Sequence, residues 1–340
     1  MKIQYYTLTG KSGGDVYFNL LMSSQKRLNN TVSHKSYHRN WSFLPYLLKP
    51  FIKINSECDL IHSNAEYGFV FKQNCPLIIS VLHIIDEPLK KYYLSFSQKK
   101  YYSLMLSYIK QSLKMATFVV AISKASERTV KQLYDIPKIQ TIYCGIDTNV
   151  FRPITIPPNP YFNKIKLLFV GNLTKRKGVD LLPKIMEKLD NRFLLFYTTG
   201  LRTPKVIFSD KRLIPLGRLS TDELVYWYNL CDICLLPTRL EGFGYAVAEA
   251  MACCKPVVTT NCSSLPEIVS DGENGFLCEM DNVADFVDKI RFLADNPQVR
   301  EEMGIRNRQK IVENFNLEKM GKEYNQLYKR VIEEFYGHKR

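Results

Sequence analysis

Glu241 and Glu249, eight residues apart, are the pair whose type and spacing point most directly at chemistry. They are the only acids between Leu236 and Cys254, a mostly apolar stretch. Gly242 and Gly244 break the chain just ahead of the run Tyr245 to Cys254. That run is too apolar all round for a surface helix and reads as a buried one. A carboxylate in such a helix is costly unless it is partnered. Glu249 therefore meets a basic or hydroxyl-rich group inside the protein, or it faces a cleft where a ligand supplies hydroxyls.

Three cations in a row, Lys175, Arg176 and Lys177, lie in the loop Gly171 to Gly178 between a predicted strand and a predicted helix. An anion site and a solvated charge run both fit them. Gly13 and Gly14 follow the first predicted strand and open the first helix, so they suit either close backbone approach to a phosphate or a plain turn. The sequence there is not a Walker A loop, which needs a glycine where this chain has Tyr5. His62 and His83 each end an apolar strand. Either is a satisfied core histidine or a site residue, and His83 leads into a polar loop holding Asp86 and Glu87. Cys231 and Cys234 have metal-like spacing but lack a second such pair, and no metal is expected.

Strands alternating with helices must position these groups. Strands are predicted at Lys2–Leu8, Asp59–Ser63, Pro76–Leu82, Phe118–Ser123 and Gln140–Cys144, with helices at Asp15–Arg27 and Lys124–Tyr134. After a proline-rich linker, Phe151–Phe162, strands follow at Lys164–Val170, Phe193–Thr198, Leu213–Leu216, Ile233–Pro237 and Pro256–Thr260, with Val206–Ser209 as a further candidate. Helices are predicted from the basic loop to about Leu189, at Thr221–Leu230 and at Asn282–Ala294, and the chain reads as helical from Pro297 on. This is an α/β pattern of two parallel sheets, each wrapped by helices, in which ligands gather at the carboxyl ends of strands. The terminal segment Leu317–Tyr336 is long enough to reach back across the first domain.

The bulk composition agrees with two domains: 340 residues, 46% hydrophobic, and no apolar run of membrane-spanning length. Nine cysteines without a regular framework fit a reducing, cytoplasmic setting. The net charge of +14 is uneven, since residues 1–160 hold 20 Lys/Arg against 9 Asp/Glu. Nucleic acid, an acidic lipid surface and a phosphorylated substrate would each complement that half, and a solvated basic surface is the plainer alternative. Within it, Trp41–Lys53 and Lys90–Lys114 interleave lysines with aromatic and aliphatic residues. Contact with a membrane interface and helices packed on the sheet with snorkelling lysines both explain this pattern.

Four segments together resemble a known family. Glu241-Gly-Phe-Gly-x-x-x-x-Glu249 is similar to the E-x7-E motif of the retaining GT-B glycosyltransferases of family 4. Val170 to Gly178, Cys144 to Pro153 and Ser264 to Gly275 resemble that family's strand-loop, interdomain and G-x-P-E-x-V-x-D-G-x-N-G motifs, in the same order.

The resemblance implies two Rossmann-like α/β/α domains facing a central cleft: residues 1–155 for the acceptor, 156–315 for a nucleotide sugar, and a helix over 316–340 crossing back to the first. It implies retaining transfer of a hexose from a nucleoside diphosphate sugar to a hydroxyl acceptor, in the assembly of cell-surface polysaccharide, lipopolysaccharide or glycolipid. The donor is a substrate, and no cofactor is expected. In this pattern Glu249 takes the ribose hydroxyls, and Glu241 takes the hexose with Gly242, Phe243 and Gly244 beside it. Lys177 holds the diphosphate, Gly217 and Arg218 line the base pocket, Gly13 and Gly14 approach the donor, and His83 faces the sugar. His83, Lys177 and Glu241 are the expected catalytic set. Asn172 stands where the family has an arginine, which leaves Arg176 as the substitute cation or the leaving group less stabilised. The implied partners are the donor, a glycan or lipid-linked acceptor and, at the inner face of a membrane, anionic lipid. Nucleic acid is not among them. Two rival readings are a nucleotide-sugar epimerase on the same fold and a non-catalytic binding subunit.

Overall fold

The computed structural model describes residues 1–10, 13–52, 57–82, 96–199 and 207–337. His83 lies outside them, as do Asp86 and Glu87. Contacts divide the chain into two units, Met1–Gly145 joined by the stretch from Leu317 onward, and Ile146–Asn316.

The first unit is built on β1 (Lys2–Thr9), α1 (Gly13–Arg27), β2 (Thr31–His38), β3 (Leu60–Asn64), β4 (Leu77–Val81), α2 (Phe96–Met115), β5 (Phe118–Ala121), α3 (Lys124–Leu133) and β6 (Ile139–Thr141). Its six strands are parallel in the order β2-β1-β3-β4-β5-β6. β3, β4 and β5 are buried along their whole length, as expected for inner strands covered on both faces. β2 was not foreseen. It is an edge strand, half exposed and rich in His, Lys and Ser, so it carries no apolar run for a pattern to catch.

The second unit contains β7 (Ile165–Phe169), α4 (Leu182–Lys188), β8 (Phe193–Thr198), β9 (Leu213–Gly217), α5 (Thr221–Leu230), β10 (Ile233–Leu236), α6 (Tyr245–Ala252), β11 (Val257–Thr260), α7 (Leu265–Ile268), β12 (Gly275–Cys278), α8 (Val283–Asp295) and α9 (Pro297–Asn314). Its sheet, again parallel, runs β12-β11-β10-β7-β8-β9. α5 opens with a reciprocal cap, the Glu223 amide donating to Ser220 Oγ and the Ser220 amide to Glu223 Oε2. β12 is a second unforeseen edge strand. The candidate at Val206–Ser209 is not a strand over its described residues 207–209.

The proline-rich stretch expected to be the linker is bound into the second unit. The Ile154 amide donates to Asn229 Oδ1, Asn229 Nδ2 donates to the Arg152 carbonyl, and Arg308 Nη1 donates to that of Phe151.

α10 (Leu317–Gly337) packs on α1 in the first unit. Its buried stripe, Leu317, Met320, Tyr324, Leu327, Tyr328 and Val331, keeps the three- and four-residue steps of an amphipathic helix. Within that seam lies a closed polar cluster. Tyr5 contacts Tyr328 (3.0 Å), Tyr328 contacts His62 Nδ1 (2.6 Å), His62 Nε2 contacts Ser80 (2.8 Å), and Ser80 contacts both Tyr17 (2.7 Å) and Tyr324 (3.3 Å). Tyr17 and Tyr324 are bonded to each other. Each of these residues is at most 1% exposed.

Five hydroxyls and one neutral imidazole supply one hydrogen for each of these six contacts. Tyr5 then donates to Tyr328, Tyr328 to Nδ1, and Nε2–H to Ser80, which fixes the His62 tautomer. Burial holds the imidazole neutral by lowering its pKa to about 3. His62 is thus a satisfied core histidine.

Candidate functional site

The site residues of the second unit collect where two neighbouring strands end. β7 and β10 pair in parallel, Ile233 beside Leu167 and Cys234 beside Leu168, so the loops that leave their carboxyl ends stand side by side. After β7 come Gly171 to Gly178, with Lys175–Lys177 in a single 3-10 turn capped by the Thr174 side chain. After β10 come Pro237 to Gly244 and then α6. Gly178 has φ +72°, and a Cβ there would lie 1.8 Å from the Pro237 carbonyl oxygen. Only a glycine lets the two loops approach this closely. Gly244, at φ +102°, turns the second loop into α6.

The loops are stitched by backbone and side chain alike. The Arg239 amide donates to the Arg176 carbonyl (2.8 Å), Thr238 Oγ1 reaches the same carbonyl (3.1 Å), and Arg176 Nη1 donates to the Leu240 carbonyl (2.6 Å). Buried Arg239 makes a bidentate pair with Asp180 (2.8 and 2.9 Å), reaches Asp281 through Nε (2.7 Å) and donates to the Lys175 carbonyl. Ser264 Oγ donates to the Phe243 carbonyl (3.0 Å) and fixes the far end of the second loop.

This frame holds a buried ion pair, Lys177 Nζ to Glu241 Oε1 at 2.5 Å, with the two side chains 14% and 8% exposed. Thr238 Oγ1 is 3.0 Å from the same Oε1. Burial pushes the Glu241 carboxyl up, but Lys177 and Arg176 together with the hydrogen bonds from Lys177 and Thr238 outweigh it and hold the group below the usual carboxylate range. Glu249, on α6 and only partly exposed, behaves oppositely. Burial raises its pKa to about 7, against the opposing pull of the Tyr228 hydroxyl, which donates to Oε2 at 2.9 Å, and of Lys177. One lysine charge therefore acts on two carboxylates, keeping the first ionised and leaving the second poised near neutrality.

Of the predicted residues, Asn172, Arg176, Lys177, Glu241, Gly242, Phe243 and Gly244 belong to the paired loops, and Glu249 to the helix they open. Glu249 meets the hydroxyl-bearing partner its setting demanded, Tyr228. Gly217 (φ +75°) ends β9, with its carbonyl taking the Thr199 amide, and Arg218 follows it, exposed. Gly13 and Gly14 begin α1 in the other unit, and a Cβ at Gly13 would meet nothing within 4 Å, so space does not demand glycine there. Cys231 and Cys234 are buried, and among the described residues no group of His, Cys, Asp and Glu is arranged to hold a metal ion.

Sequence reasoning missed Thr238, Arg239, Tyr228 and Ser264. For Arg239 the signal was present, since a lone arginine in a mostly apolar segment needs acidic partners. Its partners, Asp180 and Asp281, are remote in sequence.

The chain belongs to the family 4 glycosyltransferases. Residues 5–150 match the model described as Glycosyltransferase Family 4, and residues 155–310 match that of the Glycosyl transferases group 1. Relatives include an uncharacterized glycosyltransferase of Methanocaldococcus jannaschii, 37% identical over 45% of this chain and 44% of that protein. Another is the N-acetyl-alpha-D-glucosaminyl L-malate synthase of Bacillus anthracis, 28% identical over 66% of this chain and 62% of the relative. The chain thus spans about half to three-fifths of the length of these curated relatives. Among solved structures, the sucrose-phosphate synthase of Thermosynechococcus elongatus superposes with a TM-score of 0.84 over 97% of this chain and 99% of that one, at 18% identity. Anabaena HepE in complex with UDP does so at 0.77, covering 97% and 100%, also at 18%. The shared architecture is the α/β fold of the GT-B enzymes, two parallel six-stranded sheets each flanked by helices.

Proposed function

We propose that the protein transfers a hexose from a nucleoside diphosphate sugar to a hydroxyl acceptor with retention, in the building of a surface glycan or glycolipid. The observation that carries this reading is the cluster in which Lys177 acts on both Glu241 and Glu249 at the ends of β7 and β10. Glu241, held ionised, accepts hydrogen bonds from hydroxyls of the hexose. Glu249 accepts them from the ribose, and Tyr228 steadies its carboxylate. Lys177 faces the diphosphate and offsets the charge that grows on the leaving group, the step at which an electrostatic contact counts most. Arg176 is the cation placed to assist where Asn172 brings none.

Anabaena HepE has been solved in complex with UDP and with UDP-glucose, which makes a uridine diphosphate sugar the first donor to try. The basic first unit suits an anionic or lipid-linked acceptor at the inner face of a membrane, and His83 is proposed to face the transferred sugar. The test is a panel of nucleoside diphosphate sugars, with release of nucleoside diphosphate followed with and without acceptors. We expect acceptor-stimulated release from one donor. Absence of both binding and release across the panel refutes an enzyme, and sugar interconversion without release would favour an epimerase.

A further inference from the structure

The positive charge of the first unit is concentrated in two acid-free tracts, residues 16–56 and 88–126. The described parts of these tracts meet in space. The segment before β3 forms two short 3-10 turns, Arg39–Ser42 and Pro45–Phe51, laid against α2. Tyr46 donates to Gln111 Oε1 (2.6 Å), Tyr108 donates to the Phe43 carbonyl (3.2 Å), and the Phe43 and Tyr101 rings are 5.1 Å apart.

The second turn repeats every three residues, as a 3-10 helix does, and buries only Pro45 and Leu48. The rest of it stands in solvent although, Lys49 aside, it too is mostly apolar. Phe43 is 52% exposed, Leu44 and Leu47 are each 57%, and Phe51 is 64%. Large apolar groups exposed side by side mark an interaction surface. Around them the described lysines are exposed: Lys49 on the turn, and Lys100, Lys110 and Lys114 on α2, which also exposes Leu104. Neither element contains an acid.

From this juxtaposition we infer that the turn Pro45–Phe51, with Phe43 and Leu44 ahead of it, is a docking face that inserts into an anionic lipid bilayer while the α2 lysines lie on its headgroups. Charge selects the occupant. A second copy of the same face would set cation against cation, whereas an acidic bilayer complements the lysines and takes up the aliphatic and aromatic groups. None of the described helices is long and apolar enough to cross a membrane, so the contact is peripheral. In purpose, though not in evidence, the inference rests on the reading above, since the face would bring the enzyme to a lipid-linked acceptor.

The test is co-sedimentation of the full chain with vesicles of equal parts phosphatidylglycerol and phosphatidylcholine, and with phosphatidylcholine alone. We expect binding to the first, fading as salt rises, and little to the second. Leu44→Ser with Leu47→Ser lowers binding by at least about tenfold, given the apolar area withdrawn. Lys110→Glu with Lys114→Glu lowers it by roughly fivefold for each lysine charge lost. Both variants retain the wild-type circular dichroism and nucleotide-sugar affinity, because the substituted residues are exposed and belong to the first unit. Wild type left in the supernatant at low salt, or serine variants that bind as wild type does, overturns the docking face. So does concentration-dependent dimerisation in sedimentation velocity that the serine pair abolishes, which would assign the patch to a second copy. Vesicle binding without any nucleotide-sugar binding would refute the proposed function alone, and the reverse would refute this inference alone.

Discussion

Each unit buries a polar cluster, and the two are opposite in kind. In the first unit, Tyr5, Tyr17, His62, Ser80, Tyr324 and Tyr328 are neutral, fully enclosed and matched hydrogen for contact. In the second, Lys177, Glu241 and Glu249 are charged or nearly so, and Glu249 stays partly open. A cluster that satisfies itself specifies structure, here the seat of α10. One that keeps a carboxylate at a raised pKa is a candidate binding site, and under the proposed function a donor rich in hydroxyls and phosphate completes it.

Breaking the charged cluster should have the largest effect. Lys177→Ala removes the cation proposed to face the diphosphate, and we expect turnover to fall by about 10²–10³-fold, on the scale of losing one transition-state donor. The same change leaves Glu241 buried without its main partner, so thermal unfolding should shift down as well. Steady-state kinetics and a melting curve read the two effects separately. Turnover at the wild-type level would remove Lys177 from the chemistry.

Breaking the neutral cluster should cost stability and spare the donor. Tyr328→Phe takes away the donor to His62 Nδ1 and the acceptor for Tyr5, both buried, at a cost of about 1–3 kcal/mol. Denaturant unfolding should show that loss while nucleotide-sugar affinity stays within twofold of wild type. An equal loss in both would mean that the cluster serves the site.

A pH titration sharpens the contrast further. Glu249 is raised from 4.5 to about 7 in the folded protein. Between those values the folded chain holds a proton that the unfolded chain has released. Stability therefore falls as pH rises from about 4.5 to about 7, and Glu249→Gln removes that slope. The ionised form is the better acceptor for ribose hydroxyls, so wild-type donor affinity should rise as pH passes through about 7. The Gln variant should stay flat, and an identical pH profile for both proteins would discard Glu249 as the titrating group.

The sequence made the central strands legible because burial on both faces writes them as unbroken apolar runs, as in Ile233 to Leu236 and Phe118 to Ala121. It hid β2, whose outer position tolerates alternating polar residues, and β12, which is only four residues long. The carboxylates and the lysine were legible as charges in apolar or glycine-bounded surroundings. What assembles them was not, because it depends on partners far apart in the chain, such as Arg239 with Asp180 and Asp281, or Glu249 with Tyr228. The role of His62 also needed the fold. A strand-end histidine has two readings until Tyr328, 266 residues away, closes the bond to Nδ1.

The charged cluster at the ends of β7 and β10 is proposed to hold the donor. Calorimetric titration of UDP-glucose and its nucleotide-sugar analogues into wild type, Glu249→Ala and Tyr328→Phe tests it most directly. We predict that one donor binds wild type and Tyr328→Phe alike and binds Glu249→Ala roughly 10–100-fold more weakly, the equivalent of losing hydrogen bonds to a charged group. Equal affinity for wild type and Glu249→Ala would contradict the account.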